Sequence, residues 1–128
     1  MTPPAAPFMA ITFLYYRDLN RAETFYRDVL GLPLVIDQGF AKIFRLADGA
    51  HVGLVDEAKG MNNWQEDKCV QLCLRVEDMD AWHDWARLEG LSDLSRLFVN
   101  DTIGIRAFVF RDPEGYQIEV QSATRAGA

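Results

Sequence analysis

An α+β fold made of two βαβββ repeats is what this sequence predicts, on three observations. Residues Ile11 to Leu32 (ITFLYYRDLNRAETFYRDVLGL) run as an apolar strand, an Asp-led helix and a Gly stop, and Gln71 to Leu91 (QLCLRVEDMDAWHDWARLEGL) repeat that order about sixty residues on. Each copy then closes on a tight-turn hairpin, Ala47-Asp48-Gly49-Ala50 running into His51-Val52-Gly53-Leu54 and Asp112-Pro113-Glu114-Gly115 running into Tyr116 to Val120. Finally, 128 residues that are 49% hydrophobic make one ordinary domain, 1–128, able to bury roughly two thirds of its unfolded surface. The repeats fall at about 8–57 and 69–122, with a linker at 58–68. Registering the turns on Gly49 and Gly115 pairs His51 with Gln117 and Gly53 with Glu119, and a duplicated unit usually builds one site from such paired positions.

The elements follow in order. Phe8 to Tyr16 is β-branched and aromatic, hence a strand. Asn20 with Glu23 gives a capping-box-like start to a helix whose apolar stripe is Ala22, Phe25, Tyr26, Val29 and Leu30; Gly31 and Pro33 end it. Three short strands at about 34–38, 40–46 and 51–56 are joined by Gly-containing turns. After the polar linker come a strand at about 69–76, a helix from about Asp80 to Glu89 stopped by Gly90, a weak strand near 96–99, and strong ones at about 105–111 and 115–121. Met79, Trp82, Trp85 and Leu88 sit at helical spacing and read as helix-to-sheet core.

Composition excludes several function classes. A net charge of −6 without a Lys/Arg cluster speaks against nucleic acid and anionic membranes, and a cationic or neutral small ligand is easier to accommodate. No apolar run approaches the roughly 18 residues of a membrane span. The start, MTPPAAPFMA, lacks a basic region and an apolar core, so it reads as a Pro-stiffened tail and the expected location is cytoplasmic. Cys69 and Cys73 lie on one predicted strand, where four residues separate α-carbons by about 13 Å. A disulfide needs under about 7 Å, so free thiols are expected, as small buried hydrophobes on one strand face.

The run Asp18-Leu19-x-Arg21-Ala22-x-x-Phe25-Tyr26 and the run Asp112-Pro113-Glu114-Gly115-Tyr116-x-Ile118-Glu119, in that order, resemble the glyoxalase, bleomycin-resistance and extradiol-dioxygenase superfamily, also called vicinal oxygen chelate. The resemblance covers about residues 8–122. It implies that each repeat curls into half of a mixed-sheet cup with its helix on the outer face, and that two halves, often from two chains of a homodimer, enclose the ligand. It further implies metal ligands: a His on the first strand of a repeat, about seven residues before the helix-leading Asp, and a Glu on the last strand. Counted back from Asp18 and Asp78, the first positions are Ile11 and Gln71; the last-strand positions are Gly53 and Glu119. Ile11 and Gly53 have no ligating side chain and Gln71 offers only an amide oxygen, whereas a catalytic zinc or iron site normally takes three protein ligands including imidazole. No cofactor is therefore expected at the family position. A divalent metal held in a non-standard way is the alternative, since a two-residue shift in register would bring His51 beside Glu119.

Strand alternation then names the lining. With those positions inward, one face carries Ile11, Phe13, Tyr15, His51, Gly53, Val55, Cys69, Gln71, Cys73, Arg75, Gln117, Glu119 and Gln121; the opposite face is apolar apart from Thr12. So mixed a set suits a concave ligand site better than a core, where each polar group must find a partner. The candidate ligand-binding residues are Phe13, Tyr15, His51, Trp64, Gln71, Arg75, Gln117 and Glu119. Each also has a plainer reading: Glu119 as a solvent-facing partner of Arg75, His51 as a surface residue beside a turn, Phe13 and Tyr15 as packing. Trp64 stands apart, expected as an exposed Trp in the polar linker that caps a pocket or anchors a dimer.

Two functions follow. One is a metal-free homodimer that encloses an aromatic or cationic small molecule without reacting with it, as bleomycin-resistance and other antibiotic-resistance binders do; Cys73 to Met79 resembles the equivalent strand of those proteins. The other is a lyase, isomerase or dioxygenase of the glyoxalase class, using a non-standard metal or Glu119 as general acid/base with Tyr15 and Arg75 orienting the substrate.

Overall fold

In the computed structural model, which describes residues 1–128, the chain forms two compact units, Met1–Gln65 and Glu66–Ala128, whose boundary falls inside the expected linker. Each is one βαβββ repeat, and the fold class is α+β as predicted.

The first unit contains β1 (Ala10–Tyr16), α1 (Leu19–Thr24), β2 (Leu34–Asp37), β3 (Ala41–Ala47) and β4 (Ala50–Asp56), in a sheet of order β1-β4-β3-β2. β1 runs parallel to β4 and the other pairs are antiparallel. Leu14, Tyr16, Val52 and Leu54 alternate onto the buried face, where they meet Ala22 and Tyr26 of the helical segment. The cap of α1 is Asp18, two residues earlier than the Asn20 signal suggested: its carboxylate accepts from the N–H of Arg21 at 3.1 Å. After Thr24 the helix widens into a π-turn, Phe25–Val29, with Leu30 N–H donating to Phe25 O. That turn keeps Tyr26 fully buried with its hydroxyl 3.2 Å from that of Tyr16.

The second unit contains β5 (Gln71–Arg75), α2 (Met79–Glu89), β6 (Phe98–Asn100), β7 (Ile105–Arg111) and β8 (Gln117–Ala123), in the order β5-β8-β7-β6. Asp78 caps α2 through Ala81 N–H, and Gly90 ends it in the left-handed conformation, φ +65°. α2 packs on β7 and β8. Met79 and Ala86 are buried, Trp82 and Trp85 half-buried, but Leu88 is 88% exposed. The expectation that Leu88 joins the core fails because the buried stripe closes on Ala86, and Leu88 lies round the helix from it. β5 is shorter than 69–76, so Cys69 lies before the strand, and both thiols are exposed rather than buried.

The Asp112–Gly115 turn is pinned by a buried carboxylate. Asp112 Oδ1 accepts from the N–H groups of Glu114 at 3.0 Å and Tyr116 at 2.9 Å. Asp112→Ala removes these charge-assisted bonds and is expected to cost about 2–3 kcal/mol in urea unfolding, while Asp112→Asn, which keeps an acceptor, loses less.

Candidate functional site

In the first unit the β1–β4 register sets Ile11 opposite His51, Phe13 opposite Gly53 and Tyr15 opposite Val55, so all six share the face away from α1. Gly53 is required there by close approach. A Cβ added to it would stand 2.5 Å from Phe13 Cδ1 and 3.2 Å from Ile11 Cγ2. The Phe13 ring thus lies directly over the Gly53 backbone, and it is still 44% exposed. Beside it is a hollow of about 160 Å³ walled by Phe13, Tyr15, Phe40, Val55, Gly60 and Met61. The loop after β4 closes one side, with Gly60 against Tyr15 and Val55, and Asn62 Nδ2 donating to the Tyr15 hydroxyl at 3.2 Å.

His51 is only 8% exposed, so it is no surface residue. Its Nδ1 lies 3.2 Å from the Ala10 carbonyl oxygen, which can only accept, so Nδ1 is the donor and, in the neutral ring, Nε2 is the nitrogen with the lone pair. Trp64 is not an exposed loop residue either. The Arg17 guanidinium sits 3.6 Å over its ring, and its backbone N–H donates to Glu57 Oε1 at 3.1 Å. It is half-buried and takes no part in walling the hollow.

In the second unit the ladders lay out three rows on one face of β7, β8 and β5: Arg111, Gln117 and Gln71; Val109, Glu119 and Cys73; Ala107, Gln121 and Arg75. Glu119 can only accept, so the flanking amides turn their nitrogens to it. Gln71 Nε2 donates to Oε1 at 3.3 Å and Gln121 Nε2 to Oε2, and Gln71 then offers its own oxygen to Gln117 Nε2. Arg75 donates from Nε to Gln121 Oε1 and from Nη1 to Ala128 O, each at 2.7 Å. The expected Arg75–Glu119 ion pair does not form, because Gln121 lies directly across from Arg75 and its amide bridges the two charged groups.

Although Cys73 is exposed, partial desolvation against the sheet and, after it, the Glu119 carboxylate push its thiol above its ordinary range, with Arg75 opposing. Glu119→Gln removes one of the two raising causes. The pH at which Cys73 reacts with iodoacetamide is expected to fall, while the partial desolvation keeps it above that of a free thiol; an unchanged pH profile would contradict the proximity of the two groups.

The two registers make Ile11 and Gly53 of the first unit equivalent to Gln71 and Glu119 of the second. The donors do not suit a zinc or iron ion. In the first unit the acid's place is filled by the Phe13 ring, in the second the one carboxylate is engaged by two amides, and no three His, Cys, Asp or Glu side chains converge anywhere in the chain.

A family model described as Glyoxalase/Bleomycin resistance protein/Dioxygenase superfamily matches residues 8–120. The chain belongs to this superfamily. Among solved structures it is similar to a lactoylglutathione lyase from Agrobacterium tumefaciens at 24% identity, covering 98% of this chain and 100% of that one with a TM-score of 0.74. It is also similar to a glyoxalase/bleomycin resistance protein/dioxygenase from Nocardioides (18% identity, 98% and 89% covered, TM-score 0.76) and to TioX from Micromonospora sp. ML1 (21%, 92% and 99%, 0.72). At such identities the likeness is one of fold. No curated protein matches the chain in sequence. No helix is long and apolar enough to cross a membrane.

Of the superfamily member's predicted lining, Phe13 and Tyr15 meet in the hollow, and Gln71, Arg75, Gln117 and Glu119 join one hydrogen-bonded chain. Phe40, Met61 and Arg111 escaped the sequence reading. Arg111 was within reach of it: it stands as far before the Asp112–Gly115 turn as the hairpin needs to place it across from Gln117.

Proposed function

We propose that this protein binds a small aromatic molecule without transforming it, as a metal-free, cytoplasmic homodimer of the bleomycin-resistance type. The observation that carries the reading is the Phe13 ring seated over Gly53, where the superfamily's first-unit carboxylate would project. An exposed aromatic face beside an apolar hollow favours stacking of a flat ring, and the net charge of −6 favours a cationic one. Phe13, Phe40 and Met61 remain substantially exposed in one chain, which supports a second copy as cover. The enzymic reading, with Glu119 as acid/base, has less behind it, since both carboxylate oxygens already accept amide hydrogens.

Elemental analysis of purified protein and a thermal-shift titration test this. The expected result is no stoichiometric Fe, Zn, Ni or Mn, a mass near twice 14.5 kDa by light scattering, and a melting temperature that rises with aromatic cations and loses that response in Phe13→Ala. Stoichiometric metal, or a response that survives Phe13→Ala, overturns the proposal.

A further inference from the structure

The hollow beside Phe13 has one wall with a polar group in it. The turn between β2 and β3 brings Gln38, Phe40 and Ala41 to the hollow, and that turn is held by its own bonds. Gln38 N–H donates to Ala41 O at 2.9 Å, and Gln38 O accepts from Phe40 N–H at 3.1 Å. The Asp37 carboxylate accepts from Gly39 N–H at 2.9 Å and from Lys42 Nζ at 2.8 Å. Phe40 O accepts from Asp56 N–H at 2.8 Å, which ties the turn to the end of β4. The backbone of Gln38 is therefore engaged on both sides, whereas its side-chain amide bonds to nothing in the chain. In the second sheet the amides of Gln71, Gln117 and Gln121 all have partners. The Tyr15 hydroxyl, the other polar group of the hollow, already accepts from Asn62.

We propose that Gln38 sets the specificity of this hollow, which takes a single six-membered aromatic ring carrying an amide. The inference rests on the aromatic-binding reading of the same face and names the ligand class. A volume of about 160 Å³ is close to the roughly 150 Å³ of an apolar cavity that holds benzene, so one ring fills it. The amide follows from what Gln38 presents. A primary amide carries an N–H donor and a carbonyl acceptor side by side, and the edge of a second amide answers both at once. A ketone uses only the donor and an ammonium group only the acceptor. A carboxylate also uses only the donor, and the net charge of −6 opposes it. A positive group elsewhere on the ligand is compatible with this and lies outside the hollow.

Benzamide and acetophenone share a shape and differ in the amide N–H₂, which a methyl group replaces. Each is titrated into the ¹⁵N-labelled full chain. Binding is read from the backbone shifts of Phe40 and Gly60 and from the side-chain N–H₂ pair of Gln38, assigned by its loss in Gln38→Leu. Gln38 is exposed and its turn is held by backbone bonds, so this variant keeps the fold. The expected result is that benzamide binds several-fold more tightly than acetophenone and shifts the Gln38 pair. In Gln38→Leu the two bind alike, and in Phe13→Ala both weaken. Binding that depends on Phe13 but shows no preference for benzamide, or a preference that survives Gln38→Leu, overturns the inference and leaves the aromatic reading standing. If neither compound binds, the inference is likewise overturned. The aromatic reading then falls with it only if aromatic cations also fail to raise the melting temperature.

Discussion

Phe108→Ala is expected to lower stability by about 3–5 kcal/mol, the cost of emptying a large aromatic site that the surroundings cannot refill. Phe108 is fully buried on β7. Its ring stacks on that of Phe110 at 6.3 Å between centroids and meets the His83 ring edge-on at 5.0 Å. His83 is in turn held by a 2.9 Å contact between Nε2 and Ser95 O, and Ser95 pairs with Val109 through both backbone and hydroxyl. Removing the ring therefore loosens the segment before β6 as well as the contact of α2 with the sheet. For a chain of this length the melting temperature should fall by roughly 10–20 °C. Leu88→Ala on the same helix should change stability by less than about 0.5 kcal/mol, as for other exposed positions. Equal losses in the two variants would mean that the helix buries a different face.

The contrast between Phe108 and Leu88 shows what periodicity conveys. The repeat order, the two hairpins and the Gly90 stop were legible because each rests on local chemistry: alternation, an Asp-led helix start, a glycine where φ is positive. A helical stripe about three turns long fixes a direction but not its width, so Leu88 looked as apolar as Met79. The π-turn at Phe25–Val29 leaves no separate mark either, since one extra residue per turn barely moves a five-residue pattern. Side-chain partners were legible in kind but not in detail. Alternation gathered Gln71, Arg75, Gln117, Glu119 and Gln121 on one face, yet which carboxylate meets which cation depends on the strand register. That register puts Gln121, not Glu119, across from Arg75. Gly53 is the instructive residue: in the sequence it is only a missing carboxylate, whereas in the fold it is the floor under an aromatic ring.

Because that ring, and not merely the absent acid, closes the first-unit position, restoring ligands alone should fail. In the double variant Ile11→His with Gly53→Glu and Phe13 intact, the new Cβ meets Phe13 Cδ1 at 2.5 Å, so the ring or the strand must shift. The overpacking is expected to cost about 1–3 kcal/mol and to leave metal binding weak. Adding Phe13→Ala removes the obstruction. The imidazole introduced in place of Ile11 then lies across from His51, whose Nδ1 proton on Ala10 O already leaves Nε2 as the ligating atom, the orientation that metal-bound histidines commonly take. Two imidazoles and one carboxylate on a shared face suit Ni²⁺, Co²⁺ or Zn²⁺. The triple variant is therefore expected to bind such an ion and to be stabilised by about 2.7 kcal/mol at a metal concentration one hundred times its Kd, while the parent chain shows no shift. Calorimetric titration with Ni²⁺ checks both variants. If the double variant binds as tightly as the triple, Phe13 is not what closes the position, and the strongest support for a metal-free binding role is lost.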